Sequence, residues 1–80
     1  MMSSKELNAM KWHRPFKPFR IKTSNNEIFD IKQPGQILVG KEDINIGIPH
    51  PREPLPSVSD VIWLGVEDIV EVEYLEATAT

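Results

Sequence analysis

The sequence has no cysteine and no long apolar run, and each absence excludes a class of protein. Without cysteine the 80-residue chain forms neither disulfides nor thiolate zinc sites. Its longest apolar stretch, residues 61–66, is far shorter than the roughly 20 residues that cross a bilayer as a helix. No basic segment leads into an apolar run, so we expect no signal peptide. The sequence therefore predicts a cytoplasmic protein with no membrane association, metal or cofactor.

Positive and negative charges are unevenly distributed along the chain, whose net charge is -3. Residues 1–41 hold eight lysines or arginines against three acids, whereas residues 42–80 hold one arginine against nine acids. Such polarity can steer a charged partner, or it can join the basic surface of one subunit to the acidic surface of another. We place self-association ahead of nucleic-acid binding on this evidence.

The first residues predict a short helix. Ser3 and Glu6 have the spacing of a capping box, and Leu7 and Met10 follow on one helical face. Pro15 cannot continue a helix, so the helix is predicted over about 4–12. We expect residues 1–76 to form a single small domain that contains this helix. The remaining 77–80, of alternating alanine and threonine, are predicted to be a disordered tail.

From Phe19 onward the apolar residues recur with a period of two, which is typical of strands. Residues 19–23 and 28–32 predict a first hairpin, and residues 37–39 and 43–48 predict a second. The segment 49–56 contains four prolines and is predicted to be a surface loop.

Two further strands are predicted after the proline-rich loop. Residues 61–66 are apolar at nearly every position, so we expect this strand to be buried on both faces or nearly so. Residues 69–75 alternate, and the pattern predicts that Val70, Val72 and Tyr74 share one face while Glu71 and Glu73 share the other.

The fold class that follows is mainly β: a short N-terminal helix and then a five-stranded, strongly bent antiparallel sheet or small barrel. Closure into a barrel would remove sheet edges that a small antiparallel protein otherwise exposes. An open meander packed under the helix is the alternative.

The segment Arg14-Pro15-Phe16-Lys17-Pro18-Phe19 resembles a group of short uncharacterised bacterial proteins that open with Arg-Pro-Phe-x-Pro-Phe. Their later chain is similar in a proline near Pro34, a Val-Gly pair like Val39-Gly40 and an ending like residues 66–69. The resemblance covers residues 14–75 loosely. It implies no catalytic residues and no cofactor.

The strand order also resembles Sm-like and Src-homology-3-like small barrels. Asp43-Ile44-Asn45 is similar to the base-binding loop of Sm-like proteins, and residues 66–69 fall where their last short turn lies. The sequence departs from that pattern at Leu64-Gly65, where an arginine-glycine pair is expected, and at Asn25-Asn26, where a glycine is expected. The resemblance implies a ring-forming protein that binds RNA, although small barrels host many functions.

A basic and aromatic segment is the best candidate for nucleic-acid binding, because it combines phosphate attraction with base stacking. With the Sm-like positions added, the candidate residues are Lys11, Trp12, Arg14, Lys17, Arg20, Lys22, Asp43 and Asn45. The alternative is structural: alternating lysines and arginines form the solvent-facing side of a strand, and the nearby phenylalanines fill the core.

Two other groups are candidates for protein interaction. Pro51, Arg52 and Pro54 lie in the proline-rich loop, where the spacing of the prolines suits a polyproline helix docked in an aromatic groove. Glu71 and Glu73 could pair with a basic surface of another subunit. Structural alternatives are a loop stiffened by proline and an acidic face that protects a strand edge.

No group of residues predicts catalysis. Ser57, Ser59, Asp60 and His50 are close in sequence, but they lack a glycine-rich elbow and a recognisable oxyanion hole. His13 and His50 have no third ligand at metal-binding spacing. We expect neither a catalytic nor a metal site.

The sequence thus favours a non-catalytic binding module that self-associates and binds a protein partner. A strand of one copy, from residues 61–66 or 69–75, could add to the sheet of another. One alternative is a ring-forming Sm-like protein that binds RNA or a nucleotide, and another is a small inhibitor that sequesters a ligand.

Overall fold

A computed structural model describes residues 3–55 and 57–75 of the chain. One helix and six strands follow one another in the order α1 (Ser4–Lys11), β1 (Phe19–Thr23), β2 (Ile28–Ile31), β3 (Ile37–Val39), β4 (Asp43–Pro49), β5 (Val58–Gly65) and β6 (Ile69–Tyr74). Single turns of 3₁₀ helix, Pro34–Gln36 and Val66–Asp68, precede β3 and β6. The predicted tail 77–80 lies outside the described residues.

The helix begins with the predicted capping box. The Ser3 hydroxyl accepts from the Glu6 amide at 3.1 Å, and Glu6 Oε1 accepts from the Ser3 amide at 3.0 Å. The helix ends at Lys11, one residue before the predicted limit, and Trp12 is its C-cap. Leu7 is the helical residue that enters the core. Within residues 3–55 and 57–75 no helix has the length and apolar character needed to span a membrane.

The strands form two antiparallel sheets of three strands each. One sheet has the order β2-β1-β6, with Phe19 opposite Ile31 and Tyr74. The other has the order β3-β4-β5, with Ile46 opposite Ile37 and Ile62. We call them the first and second sheets. Both predicted hairpins are present, as the pairs β1-β2 and β3-β4.

The core lies between the two sheets and under the helix. Its fully or almost fully buried members come from α1 and from five of the strands: Leu7, Phe19, Ile21, Ile31, Ile37, Ile44, Ile46 and Ile69. Every second side chain of β1 and of β4 points inward to this core, as expected for strands that cover a core on one face.

The predicted five-stranded sheet or barrel is not confirmed, because the described part of the chain holds six strands in two separate sheets. All six correspond to segments predicted as strands, four in the hairpins and two after the proline-rich loop, so the predicted number of five is one too few. The 3₁₀ turns at Pro34–Gln36 and Val66–Asp68 interrupt the ladders where the chain passes from one sheet to the other. The coarser prediction, a mainly β fold with a short N-terminal helix, is confirmed.

Two predictions about burial are wrong. The strand expected to be buried on both faces, now β5, is an edge strand, and its Trp63 is 71% exposed. On β6, Val70 does not share a face with Val72: a shift of register between Lys22 and Thr23 leaves Val70 62% exposed. Such a bulge adds one residue to a strand and reverses the alternation beyond it, so Ile69 takes the buried position.

Candidate interaction surface at the sheet edges

The basic segment predicted to bind nucleic acid does not form one continuous cationic surface. Lys11 is only 8% exposed, and its ammonium donates to the main-chain oxygen of Ile37 at 2.7 Å. This ammonium lies against the edge of β3, where it satisfies a main-chain acceptor. Lys11 therefore serves the fold and is removed from the surface that a phosphate backbone would contact.

Two more of these cations are paired with acids on the outer face of the first sheet. Arg20 donates to both carboxylate oxygens of Asp30, at 2.7 and 3.2 Å, and Lys22 Nζ lies 3.5 Å from Glu71. The hydrogen bond from Arg20 holds the pKa of Asp30 below its ordinary value, against a smaller opposing effect of burial, and the same hydrogen bond raises the pKa of Arg20. This face is charged but internally neutralised.

The remaining basic and aromatic residues are exposed near the end of the helix and before β1. Trp12 and Arg14 line a small pocket of about 100 Å³ together with Phe16. The Lys17 ammonium lies 5.8 Å from the centre of the Tyr74 ring, within the range of a cation–π contact. Three of the six predicted nucleic-acid residues of this segment are thus exposed and belong to neither ion pair found among residues 3–55 and 57–75.

Asp43 and Asn45, which are similar to the base-binding loop of Sm-like proteins, belong to β4, the strand predicted over 43–48. Asp43 is exposed at the start of the strand. Asn45 lies in the middle of it, opposite Leu38 on one side and Trp63 on the other. Its Nδ2 atom is buried and, among the described residues, has no hydrogen-bond partner. The side chain is therefore part of a sheet surface rather than of a loop.

The predicted protein-interaction residues lie in two separate places. Pro51, Arg52 and Pro54 are exposed in the loop between β4 and β5, where the Arg52 amide donates to His50 Nδ1 at 3.0 Å. Glu71 and Glu73 are exposed on β6, and both face cations of β1: Glu71 lies opposite Lys22, and Glu73 lies opposite Arg20.

Part of the edge of β2 is covered by one side chain. Gln36 is buried, and its Nε2 donates to the main-chain oxygens of Asp30 and Gly47 at 2.9 and 3.0 Å. Its Oε1 accepts from the Lys32 amide at 2.8 Å. Asp30 belongs to the first sheet and Gly47 to the second, so Gln36 both joins the sheets and occupies hydrogen-bonding groups that an added strand would use.

The edge of β3 is also covered. Helix α1 packs against this strand, and the Lys11 ammonium occupies the outward main-chain oxygen of Ile37. Because the strand has only three residues, one helix is enough to shield it. Short strands covered by a helix are a common way to protect an edge.

The edges of β5 and β6 differ from these two. The Val66 amide donates to the Glu42 oxygen at the end of the β4-β5 ladder, and the Leu75 amide donates to the Pro18 oxygen at the end of the β1-β6 ladder. Main-chain groups alternate sides along an antiparallel strand. The amides and carbonyls of Val61 and Trp63 on β5, and of Val72 and Tyr74 on β6, therefore point away from their ladders.

Exposed apolar side chains flank the open edge of β5. Trp63 and Val61 lie on the outer face of the second sheet, Val61 at 45% exposure, and Leu38 lies across β4 from Trp63 at 60%. On the edge itself the Val61 amide donates to the neighbouring carboxylate, Asp60 Oδ1, at 2.8 Å. We call Leu38, Val61, Trp63 and the outward edge of β5 the β5 surface.

Sequence reasoning missed Gln36, and it predicted that residues 61–66 could add to another copy without identifying the exposed apolar face of the β5 surface. The alternation of Val61 and Trp63 with Ile62 and Leu64 was a signal for two faces, but a strand with apolar residues on both faces does not reveal which face is covered. Gln36 carried no signal, because a polar residue after Pro34-Gly35 is typical of an exposed turn.

Comparison with known proteins identifies no relative: no family model matches the chain, and neither a curated protein nor a solved structure matches it.

Proposed function

We propose that this protein is a non-catalytic binding module that self-associates through the β5 surface, by antiparallel addition of β5 from one copy to β5 of a second copy. The observation that carries the proposal is the open edge of β5 with exposed Val61 and Trp63 beside it. Strand addition would pair the outward main-chain groups and cover part of the apolar face at once.

The sequence of β5 is compatible with pairing against itself. In a two-fold arrangement centred on Ile62, Val61 would lie opposite the second copy's Trp63, and Asp60 would lie opposite its Leu64. No acid then faces an acid, and Val61 and Trp63 form an aromatic and β-branched pair on the outer face, which favours sheet association. The second copy's amide and carbonyl groups would replace the contact between Asp60 and the Val61 amide.

The other open edge is a poorer candidate for pairing with itself. In the corresponding two-fold arrangement of β6, centred on Val72, Glu71 would lie opposite the second copy's Glu73. Like charges directly opposite one another destabilise a sheet. Pairing of β5 with β6 of a second copy would avoid this repulsion and would give a head-to-tail ring or filament rather than a dimer.

The test is the oligomeric state of the full chain, measured by native mass spectrometry and by light scattering over a range of protein concentrations. Val61→Lys and Val70→Lys are matched variants, because each places a lysine at an exposed valine of one open edge. We expect a dimer, with a dissociation constant raised at least ~tenfold by Val61→Lys and unchanged by Val70→Lys.

Each other outcome has a definite meaning. A monomer at all concentrations overturns self-association. A ring or filament weakened equally by both variants overturns pairing of β5 with itself in favour of β5 with β6. Circular dichroism of both variants shows whether they keep the fold, which we expect because both valines are exposed.

The alternative functions have less support. Ring formation with RNA would rest on Trp12, Arg14 and Lys17, because Lys11 is buried and Arg20 and Lys22 are paired with acids. The same native mass spectrum addresses it, since an oligonucleotide or nucleotide would add its own mass. Binding of a different protein through Pro51, Arg52 and Pro54 remains a prediction that self-association does not require.

A further inference from the structure

A cleft of about 460 Å³ opens between the two sheets on the side of β2, away from the β5 surface. Its walls come from β2, β4 and the proline-rich loop. It is lined by Ile28, Phe29, Asp30, Lys32, Gln36, Ile46, Ile48, Pro49 and Leu55. The volume lies within the range of roughly 300–1,000 Å³ that is typical of small-molecule sites, and most of the lining side chains are apolar, as such sites require.

With one exception, the polar side chains of the cleft already form hydrogen bonds within the protein. Asp30 accepts hydrogen bonds from Nε and Nη2 of Arg20, and Gln36 uses its oxygen and its nitrogen in hydrogen bonds to the main chain. Lys32 takes part in neither of the ion pairs found among residues 3–55 and 57–75. Of the two charged side chains that line the cleft, Asp30 is paired with Arg20, so the Lys32 ammonium is the one that can pair with a ligand.

We infer that this cleft binds a medium-chain aliphatic carboxylate. The alkyl chain lies against Ile28, Phe29 and Ile48, where it removes apolar surface from water. The carboxylate pairs with the Lys32 ammonium at the rim, which supplies a charge-assisted hydrogen bond. The exposed Lys32 ammonium attracts a carboxylate and repels an ammonium group, so the site distinguishes anionic from cationic ligands.

An extended peptide does not fit this cleft as an added strand. Strand addition to β2 would need the Asp30 oxygen and the Lys32 amide, and Gln36 already occupies both. Gln36 thus blocks this part of the strand edge, which favours a small amphipathic molecule over an extended peptide.

The experiment is an NMR titration of the full chain with decanoate and, in parallel, with decylamine, each below its micelle-forming concentration. We expect saturable shifts at Ile28, Phe29, Ile48 and Leu55, and an affinity for decanoate at least ~tenfold higher than for decylamine. Lys32→Gln should lower the decanoate affinity by about tenfold, whereas the control Lys41→Gln, in the turn between β3 and β4, should leave it unchanged.

A second variant tests the position of the alkyl chain. Ile48→Trp would fill the cleft and should abolish binding. Equal affinity for the two probes, equal effects of the two lysine variants, or full binding by folded Ile48→Trp would each overturn the inference. The titration is repeated with Val61→Lys, where decanoate should bind as to the wild type, so this result does not depend on self-association.

Discussion

The edges of β2 and β3 contrast with the edges of β5 and β6. The first two are covered, β2 in part, by groups near them in the fold: Gln36 occupies one main-chain atom of β2 and one just after it, and α1 with the Lys11 ammonium covers β3. The other two belong to the longest strand and to its successor, and their outward main-chain groups have no comparable cover within the described part of the chain.

This contrast shows that edge protection in the molecule is selective. Burying a glutamine amide or a lysine ammonium is costly unless its hydrogen bonds are made, so both capped edges depend on exact pairing of a polar group. The same means could have protected β5, which instead carries Trp63 and Val61 beside its edge. In a small β protein an open edge with apolar side chains beside it is a risk for aggregation.

The largest expected effect comes from removing the cap of β2. Gln36→Leu leaves three main-chain groups without a partner, on Asp30, Lys32 and Gly47, and should lower the free energy of unfolding by about 2–4 kcal/mol in urea denaturation. The control is Gln33→Leu in the same turn, where the side chain is exposed and the change should be within ~0.5 kcal/mol. Equal effects of the two variants would contradict the role assigned to Gln36.

Removing the cap of β3 should have a smaller effect. Lys11→Met keeps most of the apolar stem but leaves the Ile37 oxygen without its donor, and we expect a loss of about 1–2 kcal/mol by the same measurement. The gain from no longer burying a charge offsets part of the cost. Lys5→Met on the exposed side of α1 is the control, and a Lys11→Met protein as stable as that control would show that the helix alone covers this edge.

The smallest effect concerns the charged face beside the capped edge of β2. Arg20→Met should raise the pKa of Asp30 toward its ordinary value, because the hydrogen bond from Arg20 is the main cause of the lowered pKa. Because the pKa of Asp30 is lower in the folded than in the unfolded protein, its ionised form stabilises the fold. This contribution is fully present above the unfolded pKa, about 4, and is lost as the pH falls through the folded pKa.

Acidification below about pH 4 should therefore destabilise the wild type more steeply than Arg20→Met. NMR titration of the Asp30 carboxyl carbon gives the pKa directly, with Lys17→Met as the control for loss of a cation outside the pair. An Asp30 pKa that is the same in the wild type and in Arg20→Met would rule out the ion pair as its cause.

Local patterns predicted the elements that local physics controls. The Ser3 and Glu6 capping box and the leucine behind it predicted α1, and the alternation around polar turns predicted the hairpins β1-β2 and β3-β4. The prediction failed where the outcome depends on distant residues. The bulge that exposes Val70 arises from the register with β1. Lys11 is buried because it contacts Ile37 of β3, which lies 26 residues later in the sequence.

The sequence likewise predicted some features of the candidate site and not others. The sequence placed charged and apolar residues correctly on alternate positions of β1, but it could not show that Arg20 and Lys22 would be neutralised by Asp30 and Glu71. It singled out residues 61–66 and 69–75 as strands that could add to another copy, which stays a prediction. The β5 surface depends on the tertiary structure, because β4 pairs with one edge of β5 and leaves the other edge unpaired in the sheet.

By itself the sequence determined the helix start, the alternation of the strands and the exclusion of disulfides and thiolate metal sites, because these depend on spacing and residue type. Tertiary structure alone decided which strands became edges, which edges received a cap and which cations remained exposed. Those outcomes depend on contacts between residues far apart in the chain, and a one-residue change of register is enough to move a side chain from the core to the surface.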